Sequence, residues 1–355
     1  MNIRYMGWDI GGAHLKAAGL DEHQHLWIEQ QYCPLWLGLD SLHAALASIS
    51  ARLVWSPGCR HAITMTGELA DCFDSRKAGV EALARVIEQH VHPDPVWFFS
   101  TTRSAHDSAH KAALYFEDVA SANWMASAVW ASRQCERALL VDIGSTTTDI
   151  MLIDDASVQV RGHSDAERLR HGELLYLGVA RTPLMALASH IPHDGDWIPV
   201  MAEHFATTAD VYRLTRELSA DVDPSPTADG RDKSLIASAR RLARMVGADE
   251  ASFPSDYWPL HARFWREQHL NQTMAAVERQ LSRGRLCADD PLVGVGVGRF
   301  LVRACAERLH RPYLDFNQFF PHCISPAFSP ADCAPAAALA CLEASRNGFF
   351  DDDPN

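Results

Sequence analysis

Short apolar runs alternate with amphipathic segments along most of the chain. The first runs, at 3–10, 15–20 and 26–32, have the length and composition of β-strands. Apolar residues then recur at helical spacing from Ser41 to Val54. The same alternation continues, with strands predicted at 61–66 and 96–99 and helices predicted near 76–90, across 105–116 and across 120–132. Alternating strands and helices predict an α/β fold with a mainly parallel sheet between helices.

The opening pattern restarts about 130 residues later. The first predicted strand ends at Asp9, passes through a double-glycine turn and resumes toward Lys16. The second begins as ALLVDI at 138–143, turns through GSTTT and resumes at 149–153. Two hairpins that each place an aspartate just before a polar glycine turn predict two related lobes facing one cleft.

The rest of the chain completes this division. We predict a first lobe over 1–133 and a second lobe over 134–330, with a helical insertion over about 198–284 that contains a mobile polar loop at 219–232. A strand is predicted at 293–298, followed by a helix from Arg299 to His310. A last helix over about 331–348 is predicted to pack back on the first lobe. The terminal DDDPN is predicted to be frayed.

Composition narrows the class of protein. The 355 residues carry a formal net charge of -13, which argues against nucleic-acid binding because that role needs clustered basic residues. No apolar run reaches membrane-spanning length and no leader peptide is visible, so a cytoplasmic protein without membrane contact is expected. The nine cysteines are scattered without a CxxC pair, which is typical of reduced thiols.

Three glycine-rich turns carry the candidate chemistry. Glycine lets backbone N–H groups approach an anion closely, so the first two turns are predicted to bind phosphate. Their candidate phosphate-binding residues are Gly11, Gly12, Ala13, Gly144, Ser145, Thr146 and Thr147. Lys16 adds a cation, and Asp9 and Asp142 are predicted to hold a hydrated Mg²⁺. The third turn contains Gly294, Gly296 and Gly298.

The order of these turns resembles that of the actin-like superfamily, which includes sugar kinases, acetate kinases, Hsp70 and hydantoinase/oxoprolinase proteins. The resemblance implies a two-lobed, ribonuclease H-like α/β fold with a central cleft. It also implies that the third turn contacts a nucleoside, or whatever replaces it. Kinases of this group usually carry Ser or Thr where this chain has Ala13, which favours a cradle that holds a leaving group.

Other segments resemble one narrower family. They are TMTGELADCF at 64–73, the Arg76-Lys77 pair, SANW at 121–124, DIGSTTTDI at 142–150 and GVARTP at 178–183. Together they look like the hydantoinase/oxoprolinase-like proteins of tetrahydromethanopterin-linked one-carbon metabolism and methylotrophy. That group is similar to the archaeal methanofuran-biosynthesis synthase, which joins an aminomethylfuran-methyl diphosphate to the phenol oxygen of γ-glutamyltyramine and releases diphosphate.

The resemblance implies a transferase acting on a small diphosphate donor and a tyramine- or tyrosine-type phenolic acceptor. Asp9, Asp142 and Glu68 are alternative acceptors of the phenol proton, and the sequence does not rank them. Arg76 and Lys77 are candidate contacts for the diphosphate or for a substrate carboxylate, with a solvated helix start as the alternative.

Two further positions, Asn123 and Arg181, are candidate substrate or nucleotide contacts. An ATP-dependent kinase or amidohydrolase is the alternative enzyme, and a nucleotide-gated binding protein is a third, less favoured interpretation. Assembly as a homodimer is left open.

Overall fold

The computed structural model describes residues 2–102, 105–219, 223, 226–325 and 327–347. The strands are β1 (Ile3–Ile10), β2 (His14–Asp21), β3 (Leu26–Tyr32), β4 (Trp55–Met65), β5 (Val96–Phe99), β6 (Ala105–His106), β7 (Ala138–Ile143), β8 (Thr148–Asp154), β9 (Ser157–Val158), β10 (Leu174–Leu175), β11 (His190–His193), β12 (Asp196–Pro199), β13 (Leu292–Val295) and β14 (Tyr313–Asp315).

The α-helices alternate with these strands in the first half of the chain and dominate between β12 and β13. They are α1 (Asp40–Ser50), α2 (Arg76–Val91), α3 (Ala109–Leu114), α4 (Phe116–Val119), α5 (Asn123–Ser132), α6 (Asp165–His171), α7 (Thr208–Leu214), α8 (Leu235–Arg244), α9 (Tyr257–Leu281), α10 (Arg299–Arg308) and α11 (Ala334–Arg346). Within the described ranges, no helix is both long and apolar enough to cross a membrane.

Two sheets repeat one local topology. The first has the order β3-β2-β1-β4-β5-β6, and the second has the order β10-β8-β7-β13-β14, with β9 paired to β8. In each sheet the leading strand, β1 or β7, is antiparallel to the next strand and parallel to a later one. The hairpin register places Asp9 opposite Lys16 in the first sheet and Asp142 opposite Asp149 in the second. The internal repeat is therefore confirmed as a repeat of structure.

The prediction of a mainly parallel sheet is wrong, because both sheets are mixed. The hairpins return through short glycine turns, and such turns join antiparallel neighbours, whereas a parallel pair needs a long crossover.

Several predicted boundaries also shift. The helix predicted to reach Val54 ends at Ser50, and the helix predicted over 105–116 is divided among β6, α3 and α4. The predicted strand at 293–298 stops at Val295 because Gly296 turns the chain with φ 79°. Residues 220–222 and 224–225 of the predicted polar loop, and the predicted frayed tail at 351–355, lie outside the described residues.

Helix α11 lies against the first sheet and is made of small residues for a steric reason. A Cβ atom at Gly7 of β1 would lie only 1.9 Å from the carbonyl oxygen of Ala336, so helix and strand backbones nearly touch. Together α5 and α11 fill a buried apolar core that also takes residues from both sheets. This core fixes the two repeated hairpins relative to each other. The exact residue limits of the two lobes stay a prediction.

Candidate active site

A cleft of about 290 Å³ lies where the two repeated hairpin turns face each other. Twelve of the predicted site residues line it: Asp9, Gly11, Gly12, Ala13, Lys16, Asn123, Asp142, Gly144, Ser145, Thr146, Thr147 and Arg181. A smaller adjoining pocket shares Lys16, Asp142 and Ser145 with the cleft and reaches Gly296. The structure thus brings the first two predicted turns together around one space.

The second turn is held so that its N–H groups face away from its supporting loop. The carbonyl oxygen of Gly144 accepts a hydrogen bond from the Val179 N–H at 3.0 Å, and that of Ser145 accepts one from the Arg181 N–H at 2.8 Å. In a trans peptide the N–H points opposite to the C=O, so the N–H groups of Ser145 and Thr146 point away from this loop. Neither donates to an acceptor in the described part of the chain.

The first turn has the same construction. The carbonyl oxygen of Gly12 accepts from the Leu35 N–H at 3.0 Å, and that of Ala13 accepts from the Cys33 N–H at 2.9 Å. The Ala13 N–H therefore points away from the 33–35 segment, and it has no acceptor among the residues that the structure describes. Both turns thus hold their carbonyl groups on one side and leave N–H groups for an anion, and neither needs a side-chain hydroxyl to do so.

The cleft contains three carboxyl groups whose pKa values are raised. Burial raises the pKa of Asp9 to about 6, although the Lys16 charge opposes the shift. Burial and the neighbouring Asp149 carboxylate raise the pKa of Asp142 to about 7. Burial also raises the pKa of Asp149, against the opposing charge of Arg168.

Lys16 itself stays protonated. Burial alone lowers the Lys16 pKa, but the surrounding Cys333, Asp9 and Asp142 groups outweigh that effect and raise it. The ammonium group also donates a hydrogen bond of 3.1 Å to the carbonyl oxygen of Asp332. The lysine is therefore a fixed positive charge between the two turns.

The donor set suits a magnesium ion that arrives with phosphate better than a resident metal. Asp9 Oδ1 is buried and has no hydrogen-bond partner within the described ranges, so it is available to a cation. The described residues contain no group of three or more side chains able to hold a metal. Mg²⁺ commonly binds through one or two carboxylates, with water and substrate phosphates completing its shell. Asp9 and Asp142 fit that pattern, and Mg²⁺ stays a prediction.

Six predicted residues do not line the cleft: Glu68, Arg76 and Lys77, and the three glycines of the third turn. Glu68 is fully buried behind the wall, where its Oε1 accepts a hydrogen bond of 2.8 Å from the Ser121 hydroxyl, and burial raises its pKa to about 6. Arg76 forms a 2.8 Å ion pair with Asp165, and Lys77 is exposed on the first turn of α2. The Arg76–Asp165 pair connects α2 to the cleft, because Asp165 lines it.

Two N–H groups of the third glycine turn are already hydrogen-bonded to carbonyl oxygens of the protein. The Gly296 N–H donates to the carbonyl oxygen of Ala331 at 2.9 Å, and the Gly298 N–H donates to that of Ile143 at 2.8 Å. A Cβ atom at Gly294 would lie 2.6 Å from the Tyr313 hydroxyl. Gly294 and Gly298 therefore lie in packing contacts outside the cleft, and only Gly296 reaches the adjoining pocket.

Eleven of the residues that line the cleft were missed as site candidates, among them Arg168, Asp149 and His14. Arg168, only 2% exposed, pairs with Asp149 Oδ1 at 2.9 Å and stacks 3.9 Å from the ring centre of Trp124. His14 is buried in the first turn, and its Nε2 has no hydrogen-bond partner in the described chain. Burial, with the Lys16 charge, lowers the His14 pKa to about 3. In the repeated hairpin, Asp149 occupies the position of Lys16, and His14 occupies the position of Thr147. Both residues could therefore have been predicted from the repeat, whereas nothing in the sequence marks Arg168.

Comparison with known structures shows the fold. A nucleotide-free structure of an acetone carboxylase matches with a TM-score of 0.56 and 9% identity, covering 96% of this chain and 70% of that chain. The two-lobed actin-like α/β fold predicted from the order of turns is confirmed.

Sequence comparison then gives the family. The hydantoinase/oxoprolinase family model matches residues 60–340, so the chain belongs to the hydantoinase/oxoprolinase family. A Methanocaldococcus jannaschii protein named (4-{4-[2-(gamma-L-glutamylamino)ethyl]phenoxymethyl}furan-2-yl)methanamine synthase is 32% identical over 72% of this chain and 75% of its own length. The protein of the same name from Methanococcus vannielii is 33% identical over 34% of this chain and 54% of its own length. The chain is an enzyme.

Proposed function

We propose that this enzyme is a transferase of methanofuran biosynthesis, which condenses an aminomethylfuran-methyl diphosphate with the phenol of a tyramine- or tyrosine-type acceptor. The names of the two archaeal relatives support this reaction type, because they describe a phenoxymethylfuran. Such a product contains an ether between a phenol oxygen and a furanylmethyl carbon.

One observation carries the proposal: two turns of the same construction face one cleft with a partly buried lysine between them. Outward N–H groups at Ala13, Ser145 and Thr146, together with the Lys16 ammonium, match an anion with more than one phosphoryl group. Preorganised donors of this kind contribute about 3 kcal/mol each where charge develops in a transition state. A departing diphosphate develops such charge.

The bond changes balance without another reactant. The bond between the furanylmethyl carbon and the diphosphate oxygen breaks, and its electron pair leaves with the diphosphate. The furan ring stabilises the positive charge that develops on the carbon. The phenol oxygen forms the new carbon–oxygen bond, and its proton passes to a carboxylate of the enzyme. No Ser or Thr nucleophile is needed, which is consistent with alanine at position 13.

The structure supports different roles for the two predicted aspartates. Asp142 lines both the cleft and the adjoining pocket, and a pKa of about 7 suits a general base at neutral pH. Asp9 offers an unpartnered oxygen, which suits Mg²⁺. When bound, Mg²⁺ supplies positive charge that offsets the diphosphate. Glu68, bonded to Ser121 behind the wall, is the weaker candidate for the base.

The test is to incubate the protein with the furan diphosphate, tyramine or tyrosine, and Mg²⁺, without ATP. We expect stoichiometric pyrophosphate and ether, measured by a coupled assay and by mass spectrometry. Absence of both products from folded protein with each acceptor would contradict the proposal. Micromolar binding of ATP with ATP-dependent turnover would instead favour a kinase or amidohydrolase of the same superfamily.

A further inference from the structure

A second cavity, of about 330 Å³, lies outside the cleft and shares no lining residue with it. Its aromatic wall is formed by Trp97 and Phe99 of β5, and its aliphatic wall includes Leu339 and Leu342 of α11. Small-molecule sites are typically cavities of 300 Å³ or more with mostly apolar walls and a few placed polar groups. The size and lining of this cavity meet that description.

Arginine side chains lie in the cavity wall, at Arg133 and Arg346, and directly beside it, at Arg60. The guanidinium carbons of Arg60 and Arg346 each lie 5.7 Å from the ring centre of Trp97. The one acidic group, Glu343, is 2% exposed, hydrogen-bonds to Arg60 and lies 3.7 Å from Arg346. Arg133 also lines the cavity. Two guanidinium groups, those of Arg60 and Arg346, therefore lie beside the Glu343 carboxylate, and Arg133 adds another cationic side chain to the cavity wall, although the whole chain carries a net charge of -13.

One polar atom in the aromatic wall lacks an acceptor. The indole Nε1 of Trp97 is buried and makes no hydrogen bond within the part of the chain that the structure describes. A buried indole N–H normally finds an acceptor in the protein or in a bound molecule. This donor belongs to the same side chain that the two arginines flank.

We propose that this cavity binds a small aromatic carboxylate. Its ring packs against Trp97 and Phe99, and its carboxylate pairs with Arg346, whose side chain is half-exposed and whose Glu343 contact is long. Guanidinium groups bind carboxylates with two parallel hydrogen bonds, which makes the pairing strong and directional. The proposal does not depend on the reaction assigned to the cleft.

Helix α11 connects this site to the cleft. Its C-terminal half lines the cavity, while Pro335 at its beginning borders the cleft. The two sites are separate, and they share one rigid element.

The proposal is tested with 3-phenylpropionate as probe and 3-phenylpropionamide as the matched neutral compound. Both are titrated into the full-length protein by calorimetry. We expect the carboxylate to bind at least about tenfold more tightly than the amide, because a charge-assisted pair contributes more than a neutral hydrogen bond. Equal affinities, or no binding of either compound, would overturn the proposal.

Two variants locate the binding. Arg346→Gln, at a half-exposed position, is expected to weaken 3-phenylpropionate binding about tenfold. Trp97→Phe keeps an aromatic wall but removes the N–H, and is expected to weaken binding about threefold. Arg85→Gln, an exposed position on α2 outside the cavity, serves as the matched control and should bind like the parent. Parent-like affinity in Arg346→Gln would place the probe elsewhere and overturn the assignment. Pyrophosphate binding, measured in parallel, should be the same in all three variants.

Discussion

The two hairpins have the same backbone construction and differ in the charge at one register position. In both, a glycine N–H closes the turn onto a carbonyl oxygen three residues later, at 2.9 Å, and an aspartate ends the first strand. The residue opposite that aspartate is Lys16 in the first hairpin and Asp149 in the second. The same register position thus carries a cation on one side of the cleft and an anion on the other.

This difference gives the two hairpins different roles: the first offers a charge to a ligand, whereas the second contains an internal ion pair that supports the structure. Lys16 is free of any side-chain ion pair among the described residues and faces the cleft, so its charge is available to a ligand. Asp149 is neutralised by Arg168, which is itself buried against Trp124. The first hairpin therefore supplies charge for an anion, while the second supplies N–H groups and a carboxylate, Asp142, whose pKa is held near neutrality.

Asp142→Asn should reduce activity more than any other single change. If Asp142 accepts the phenol proton, kcat should fall about 10³-fold, within the range for loss of a general base. The parent kcat/KM should rise with pH up to about 7 and then level, and this rise should disappear in the variant. Circular dichroism and thermal unfolding check the fold, and a variant within threefold of the parent would contradict the assignment.

Removing the cation of the first hairpin should have the next largest effect. Lys16→Met should weaken pyrophosphate binding about 30-fold, the equivalent of one charge-assisted hydrogen bond. The KM of the acceptor should change little. Calorimetry and steady-state kinetics measure the two quantities, and equal losses for donor and acceptor would argue against a diphosphate contact.

Breaking the ion pair of the second hairpin should lower the stability of the protein. Arg168→Leu leaves Asp149 buried without its partner, and this should lower the free energy of unfolding by about 3 kcal/mol. Replacing both residues with leucine should recover much of that loss. Urea unfolding measures both, with Arg85→Leu as the exposed-pair control at about 0.5 kcal/mol or less. A loss in Arg168→Leu no larger than in the control would contradict the supporting role.

The buried aspartates predict a pH dependence of stability. Asp9 and Asp142 have pKa values raised from 3.8 to about 6 and about 7, so the folded state binds more protons than the unfolded state between pH 4 and 7. Stability should therefore fall as pH rises through this window. Thermal unfolding across the window measures the slope, which should be shallower in Asp142→Asn. An unchanged slope in that variant would show that Asp142 is not the group responsible.

The smallest effect is expected from Ala13→Ser. The turn already offers its N–H group to an anion, so an added hydroxyl should change pyrophosphate affinity by less than about threefold. Calorimetry checks this value. A gain of ATP turnover in this variant would mean that the two hairpins still form a kinase site lacking one hydroxyl.

The sequence predicted the parts of this site that depend on backbone. The repeated Asp-x-Gly pattern and its neighbouring strands led directly to the paired hairpins, because local register follows from alternation and turn residues. The mixed sheets were missed because strand direction depends on connections that span many residues.

The side-chain environment was less accessible to sequence reasoning. From the sequence, Glu68 is a plausible base. In the structure it lies behind the cleft wall, where it contacts Ser121 and where Gly79 packs closely on its backbone. In the sequence, Arg168 is one of several charged residues of a short polar helix, whereas in the structure it pairs with Asp149. Such roles depend on contacts between residues distant in sequence.

In the proposed reaction, the cleft holds diphosphate as a leaving group while a phenol oxygen attacks carbon. The most direct test uses an acceptor whose phenol oxygen is oxygen-18, with the furan diphosphate, Mg²⁺ and no ATP. Mass spectrometry should find the label retained in the ether and absent from the released pyrophosphate. Label in a phosphate product, or in neither the ether nor the pyrophosphate after turnover, would contradict the account.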